Sequence, residues 1–572
     1  MERIWQKAYD PSVPHHVEIP DETIEQALAK SAADFPNQPA LIFYNHTITF
    51  AELNALVDKF AAALQANGLQ KGDRVSLYLP NCPQYTIGYY GTLRAGGIVV
   101  PTNPLYVPRE ISHQIRDSGA KFMVSLSLMY DRVRKVRGEL GLQKVIVTSI
   151  KEYFPPILKL LFTLLKENKP DMNGERHRVD ISGDADTVWF QDFLREGSGK
   201  PTPVEIQPED TAVLMYTGGT TGVPKGAQLT HRNIIANVVQ TAGWIPGIKR
   251  GKGVTMSALP LTHSYGMTAC QNWSIYLGLA QVLIPNPRDL DDVLKNLTRH
   301  KVTFFPGVPT LYNAINNHPD VKAGKYDLSS IEVCLSGAAG LPPEVQKEFM
   351  RVTGGKLVEA YGLSETTPAV TINPVESTGK IGTIGVPIPN TDVKIVDAET
   401  GEKEMPLGEV GELCVRGPQV MKGYWNMPTE TANVLRPDKN GDVWLYTGDL
   451  AVMDEDGFVK IVDRKKDMII SGGFNIYPNE VEYILYQHPA VLEVAVVGVP
   501  HETRGEVAKA FVVLKEGESL TEEELRQWCK QEMRAYMVPK YVEFRDELPK
   551  TMVGKILRRQ LLEEELQKQG EK

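Results

Sequence analysis

Thr211-Ala-Val-Leu-Met-Tyr-Thr-Gly-Gly-Thr-Thr-Gly-Val-Pro-Lys-Gly226 changes character halfway along its length. Its opening is an apolar, β-branched run that reads as a buried strand. Beyond it, Gly218, Gly219 and Gly222 let backbone N–H groups turn toward one point without a Cβ in the way. Thr217, Thr220 and Thr221 add hydroxyl donors and Lys225 adds a positive charge, so the strand runs into a nest suited to phosphate. A plain hairpin turn would need neither three hydroxyls nor a lysine. The spacing is not that of the common P-loop, because no Lys-Ser or Lys-Thr follows the second glycine.

Outward from this strand the same texture repeats. Short apolar runs such as Arg74–Leu79 and Lys144–Thr148 alternate with helix-period segments such as Thr23–Ala33, which reads as α/β layering. From about residue 385 to 462 the pattern changes to short strands punctuated by Gly, Pro and Asn, for example Gly411–Gly417 and Gly457–Val462, and predicts a β-rich subdomain. After the tetrad Arg464-Lys465-Lys466-Asp467 the reading is helix (479–487), strand (491–497), strand (508–514) and helix (521–533). The expected fold class is therefore α/β: a large N-terminal domain (1–463) of layered α/β subdomains with the β-rich part, plus a small mobile C-terminal α+β domain (464–572). The polar end EEELQKQGEK is expected to fray.

A chain of 572 residues exceeds one hydrophobic core. Its formal charge of −9, with no basic run, excludes a broad nucleic-acid surface. Cys82, Cys270, Cys334, Cys414 and Cys529 lie far apart with no Cys-x-x-Cys pair, which indicates neither a disulfide framework nor a thiolate zinc site and fits a cytoplasmic setting. Neither a signal peptide nor an apolar run of spanning length is expected. Residues 151–166 contain an apolar helix of about three turns edged by Lys159 and Lys166. Packing on its own domain is the plainer expectation, and peripheral contact with the inner face of a membrane is the alternative.

The phosphate nest resembles the ATP loop of the adenylate-forming superfamily, which comprises acyl-CoA synthetases, carrier-protein adenylation domains and beetle luciferases. The resemblance covers essentially the whole chain and is nearest to bacterial long-chain fatty acid:CoA ligases. Four further matches follow in order, with His263 beside them. In Glu359-Ala-Tyr-Gly-Leu-Ser-Glu365, the resemblance makes Glu365 a Mg²⁺ ligand, with Thr217 beside it, and such a carboxylate suits a hard cation neutralising phosphate. It also lays Ala360, Tyr361 and Gly362 along adenine and lets Ser364 donate to the α-phosphate, while Gly337 and Ala338 resemble the small-residue strip beside the base. In Tyr446-Thr-Gly-Asp449, Asp449 is implied as the ribose clamp, since one carboxylate accepts from two vicinal hydroxyls. In Asp463-Arg-Lys-Lys-Asp467, Arg464 is implied at ribose or phosphate and Lys466 at the hinge of the small domain. In Leu548-Pro-Lys-Thr-Met-Val-Gly-Lys555, Lys555 is implied as the cation that helps a carboxylate approach an anionic α-phosphate.

His263 matches the family histidine near the bound carboxylate, and Gly472 and Gly473 match the pantetheine channel. One departure is visible: no tryptophan lies between Leu259 and Cys270, where some long-chain ligases place a gate to the acyl tunnel, and Trp273 is too late to be carried over. The resemblance implies ATP and a fatty acid giving acyl-AMP and diphosphate, then CoA giving acyl-CoA and AMP, with Mg²⁺ as cofactor. The expected partners are fatty acid, ATP and CoA, and a homodimer stays open. Ligases for medium-chain or aromatic acids, or one loading a carrier protein, remain alternatives, because pocket shape decides among them. A nonenzymatic sensor would be expected to have lost Glu365, Asp449 or Lys555, and all three are present.

Overall fold

The computed structural model describes residues 3–171, 174–197, 199–217, 224–377, 379–552 and 554–570. Two large sheets form the framework. The nine-stranded one runs Val386–Pro387, Ala369–Ile372, Lys356–Gly362, Val333–Ser336, Phe304–Gly307, Val254–Ser257, Ala280–Leu283, Pro39–Phe43 and His46–Thr49. Its strands from Pro39–Phe43 to Lys356–Gly362 are parallel and the outer pairs antiparallel. Parallel strands covered on both faces read as continuous apolar runs, and Val333–Ser336 and Phe304–Gly307 are buried at every position. The eight-stranded sheet places Thr211–Thr217 between Ile98–Pro101 and Lys225–Thr230. The strand read from the opening stretch is thus central, and its antiparallel partner carries Lys225 back opposite Thr217.

The β-rich part differs from its expected limits. Its five-stranded sheet starts at Asp392 and ends at Arg464, whereas Val386–Pro387 pairs with the nine-stranded sheet and Gly423–Tyr424 with the eight-stranded one. Both strands are two residues long and stitch the subdomain to its neighbours.

The C-terminal sheet contains Phe474–Ile476, Ile469–Ser471, Gly505–Leu514, Val491–His501 and Tyr541–Phe544. One face buries Val494, Val496, Ala510 and Val512 against helices Pro478–Leu485 and Glu522–Glu532. The other buries Val497, Phe511 and Val513 against Leu561 of a helix spanning Arg558–Gly570. The polar stretch expected to fray is helical as far as residue 570, and residues 571 and 572 lie outside the described residues. Lys509 reaches Glu565 and Arg545 reaches Glu564, each at 2.7 Å, so charged residues that read as solvated are tied to the sheet.

The apolar segment forms the helix Pro156–Leu165, none of whose residues is buried. Leu158 and Phe162 pack against the core, while Ile157, Leu160, Leu161, Leu164 and Leu165 are exposed. Among the described residues no helix is long and apolar enough to cross a membrane.

Candidate active site

Parallel α/β sheets leave a crevice beyond the carboxyl ends of their strands. Here the segments after Ser257, Gly307, Ser336 and Gly362 meet in a cleft of about 3330 Å³, well above the roughly 300–1,000 Å³ of an ordinary small-ligand pocket. The small C-terminal lobe lies over it.

One wall is the hairpin of Val443–Met453 and Val459–Arg464, in which Asp449 faces Arg464 in register. Asp449 is buried, with one oxygen 2.9 Å from the Arg464 Nε and the other accepting a 2.6 Å hydrogen bond from the Tyr361 hydroxyl. Burial, then the Asp449 charge, hold the Tyr361 phenol well above its ordinary range. The Arg464 guanidinium is raised chiefly by Asp449. Carboxylate oxygens keep further lone pairs, so both can still accept from a diol.

Beside it, Lys356–Gly362 delivers Tyr361 and Gly362 and a short helical turn carries Ser364 and Glu365. Ser364 Oγ lies 3.2 Å from Ser264 Oγ, and Glu365 Oε1 accepts from the Tyr424 hydroxyl at 2.8 Å. Lys225 forms an ion pair with Glu430 and lies 5.3 Å from the centre of the Tyr424 ring. Thr217 and Lys225 both line the cleft. Gly218, Gly219, Thr220, Thr221 and Gly222 lie outside the described residues. Among those described, no cluster of three or more His, Cys, Asp or Glu side chains could hold a metal. Glu365, whose second oxygen has no hydrogen-bond partner among the described residues, still fits Mg²⁺, which is commonly held by one or two carboxylates plus substrate phosphates.

Gly337, Ala338 and Ala360 also line the cleft. Tyr265 lies under Gly337, where an added Cβ would come within 3.0 Å of the ring. His263 sits where the chain enters a wide, π-type helical stretch, Gly266–Asn272, a distortion often found at functional sites. Gly266 is required there, because a Cβ would fall 2.2 Å from the Pro260 carbonyl oxygen. The His263 Nδ1 accepts from the Tyr265 N–H at 3.2 Å. Burial, then the nearby Lys555 charge, push this imidazole down to about 4, so it is neutral at pH 7.

Lys555 reaches the cleft from the small lobe. It stands on a turn closed by the bridge between Lys550 and Ile556, and Gly554, at φ +72°, packs so tightly on Thr310 that a Cβ would meet its Oγ1 at 2.7 Å. Lys555 is exposed toward the cleft, but the protein closing around it strips solvent from its ammonium, which this desolvation, followed by the Arg464 charge, pushes down to about 8. The lobes also meet at Asp463, which is fully buried, accepts from the Asn479 N–H at 2.7 Å and lies 3.5 Å from Arg558. Lys466 lines the same cleft. Gly472 and Gly473 do not; they form the tip of the hairpin between Ile469–Ser471 and Phe474–Ile476.

Sequence reasoning missed three neighbours. Glu430 pairs with Lys225 across 205 positions, and Glu359, buried with no ion pair among the described residues, is raised to about 8 by desolvation. Trp273 lines the cleft, its ring tilted by 37° against that of Phe304 with ring centres 4.3 Å apart. Its place ten residues after His263 was the available signal. Phe304, which begins the strand that ends at Gly307, lines the cleft as well. Thr241, Ile245, Leu335 and Ile372 also line the cleft.

A cleft with room for a nucleotide and a second substrate, under a lobe that lends it a lysine, has the layout of an enzyme of the adenylate-forming class. Residues 28–425 match the AMP-binding enzyme family and residues 480–555 the AMP-binding enzyme C-terminal domain, and the chain belongs to that family. It is 47% identical over 563 residues to a long-chain-fatty-acid–CoA ligase of Bacillus subtilis, covering 98% of each chain. It is 43% identical to one of Escherichia coli, covering 99% of this chain and 98% of the other. Among solved structures, ATP-bound MatB from Rhodopseudomonas palustris superposes with a TM-score of 0.80 at 29% identity, covering 95% of this chain and 99% of that one. The anthranilate CoA ligase AuaEII with anthranoyl-AMP gives 0.81 at 26%, covering 95% and 97%.

Proposed function

We propose that this protein is a long-chain fatty acid:CoA ligase that forms an acyl-adenylate from ATP and then passes the acyl group to CoA. The observation that carries this is the continuity of one cleft, from the Asp449–Tyr361–Arg464 cluster past His263 to the apolar wall at Trp273 and Phe304. The relatives named long-chain-fatty-acid–CoA ligases over nearly their full length support the choice of acid.

In the first half-reaction a carboxylate oxygen of the acid bonds to the α-phosphorus and the bond to diphosphate breaks. Lys555 supplies positive charge where two anions must approach. Lys225 and the hydroxyl-bearing nest hold the outer phosphates, and Asp449 holds the ribose. Neutral His263 stands beside the acid without competing for its charge. Mg²⁺, which Glu365 would help hold, would neutralise phosphate charge. In the second half-reaction the CoA sulfur bonds to the acyl carbon and AMP leaves. We assign the domain boundary to Asp463/Arg464 and Lys466 to the hinge, and turning the small lobe there would replace Lys555 with the Gly472–Gly473 hairpin. All five cysteines are free and buried, which suits a reducing cytoplasm.

The test is diphosphate release over acids from acetate to oleate and cinnamate, with and without CoA. Oleate-class acids should lead, with thioester formed only when CoA is present. A preference for cinnamate or acetate would overturn the choice of acid.

A further inference from the structure

An amphipathic helix on a globular protein ordinarily turns its apolar stripe inward. The helix Pro156–Leu165 does the reverse. Ile157, Leu160, Leu161, Leu164 and Leu165 follow the i, i+3, i+4, i+7, i+8 spacing of one helical face, and all five are between 46% and 78% exposed. The helix is nevertheless braced. Phe162 packs edge-on against Phe154 and His177, with ring centres 5.4 and 4.9 Å away, and Lys151 bonds to Thr163 and Glu167 at 2.9 and 2.7 Å. A rigid scaffold therefore holds the apolar face outward.

The surrounding charge indicates what covers it. Lys159, Lys166, Lys169, Arg176 and Arg178 are exposed around the helix. Of the acids between 156 and 179, Glu167 is turned to Lys151 and Glu175 to Arg132, and Asp171 is exposed. A cationic rim around an apolar stripe, on a chain of net charge −9, is complementary to a surface combining hydrocarbon with anionic headgroups. Ten residues, about 15 Å, suit a helix lying in the interface and are too few to cross it.

We propose that Pro156–Leu165 docks this protein on anionic lipid bilayers, with the five apolar side chains among the acyl chains and the lysines and arginines at the headgroups. The docking is independent of which acid the cleft activates. The experiment is co-sedimentation of the full chain with vesicles of phosphatidylcholine alone or mixed with phosphatidylglycerol, at low and high salt. The protein should bind the mixed vesicles, with weakening by salt, and bind phosphatidylcholine poorly. The double variant L160Q/L164Q should lose binding by at least about tenfold, and K166E/K169E should lose the preference for phosphatidylglycerol. Both should keep the melting temperature and the activity on a water-soluble acid, since these side chains face solvent. Equal vesicle binding by wild type and L160Q/L164Q would overturn the proposal. So would a wild-type dimer that ignores vesicles and falls to monomer in L160Q/L164Q, because a second copy would then be the occupant.

Discussion

The Tyr361 hydroxyl donates a 2.6 Å hydrogen bond to the Asp449 carboxylate, whose other oxygen is held by Arg464. The proposed ribose clamp is thus oriented before nucleotide arrives. Asp449→Ala removes an acceptor of two charge-assisted bonds and should lower kcat/KM for ATP by about 10²–10⁴-fold, at about 1.5–3 kcal/mol per bond. Tyr361→Phe removes only the orienting bond and should lose about tenfold or less. ATP–diphosphate exchange measures both, and equal losses would detach orientation from binding.

Lys555 should separate the two half-reactions. Lys555→Ala should reduce adenylation by about 10²–10³-fold, as for loss of one preorganised charge-stabilising group, and leave thioester formation from supplied acyl-AMP largely intact. Its depressed pKa gives the sign with pH. The ammonium is lost as pH rises through about 8, so adenylation kcat/KM should fall on the alkaline side while the second half-reaction does not. Lys555→Arg, which stays charged, should move that limb upward.

If Lys225 holds phosphate as proposed, it exchanges its contact with Glu430 when ATP binds. Glu430→Gln should therefore lower KM for ATP by a few-fold, and Lys225→Ala should raise it by at least about tenfold. Steady-state kinetics at low and high salt would check both, since the effect of Glu430 should shrink under screening.

Trp273 ends the apolar wall and should limit the acyl chain. Trp273→Leu should raise kcat/KM for the longest acids relative to mid-length ones by about tenfold, within the range set by one or two methylenes in a pocket. A chain-length series measures this, and an unchanged profile with lowered thermal stability would make the indole purely structural.

The stretches that line the cleft were legible where they are consecutive: Thr217 at the end of its strand, the Tyr361–Glu365 run, Tyr446–Asp449 and the turn before Lys555. The strands were legible because parallel β-structure covered on both faces is apolar throughout. What escaped depends on residues far apart in sequence. Nothing near Glu430 marks it as a partner of Lys225, and Trp273 becomes a wall only when Phe304 is brought beneath it. The C-terminal helix escaped because ion pairs from Lys509 and Arg545 fasten it, with Leu561 as its fully buried side chain. The periodicity of 157–165 identified a helix, but no sequence pattern states which way a stripe faces.

Asp463 joins the lobes while sealed from solvent, and desolvation raises its carboxyl to about 6. If parting the lobes returns this group to water, where it would regain an ordinary acid strength, separation must release a proton at any pH between the two values. Mild acid would then hold the protein at the adenylate stage and delay hand-over to the thiol, even with every substrate present. A buried carboxylate where the lobes meet would in this way make the tempo of the catalytic cycle answer to acidity below about pH 6.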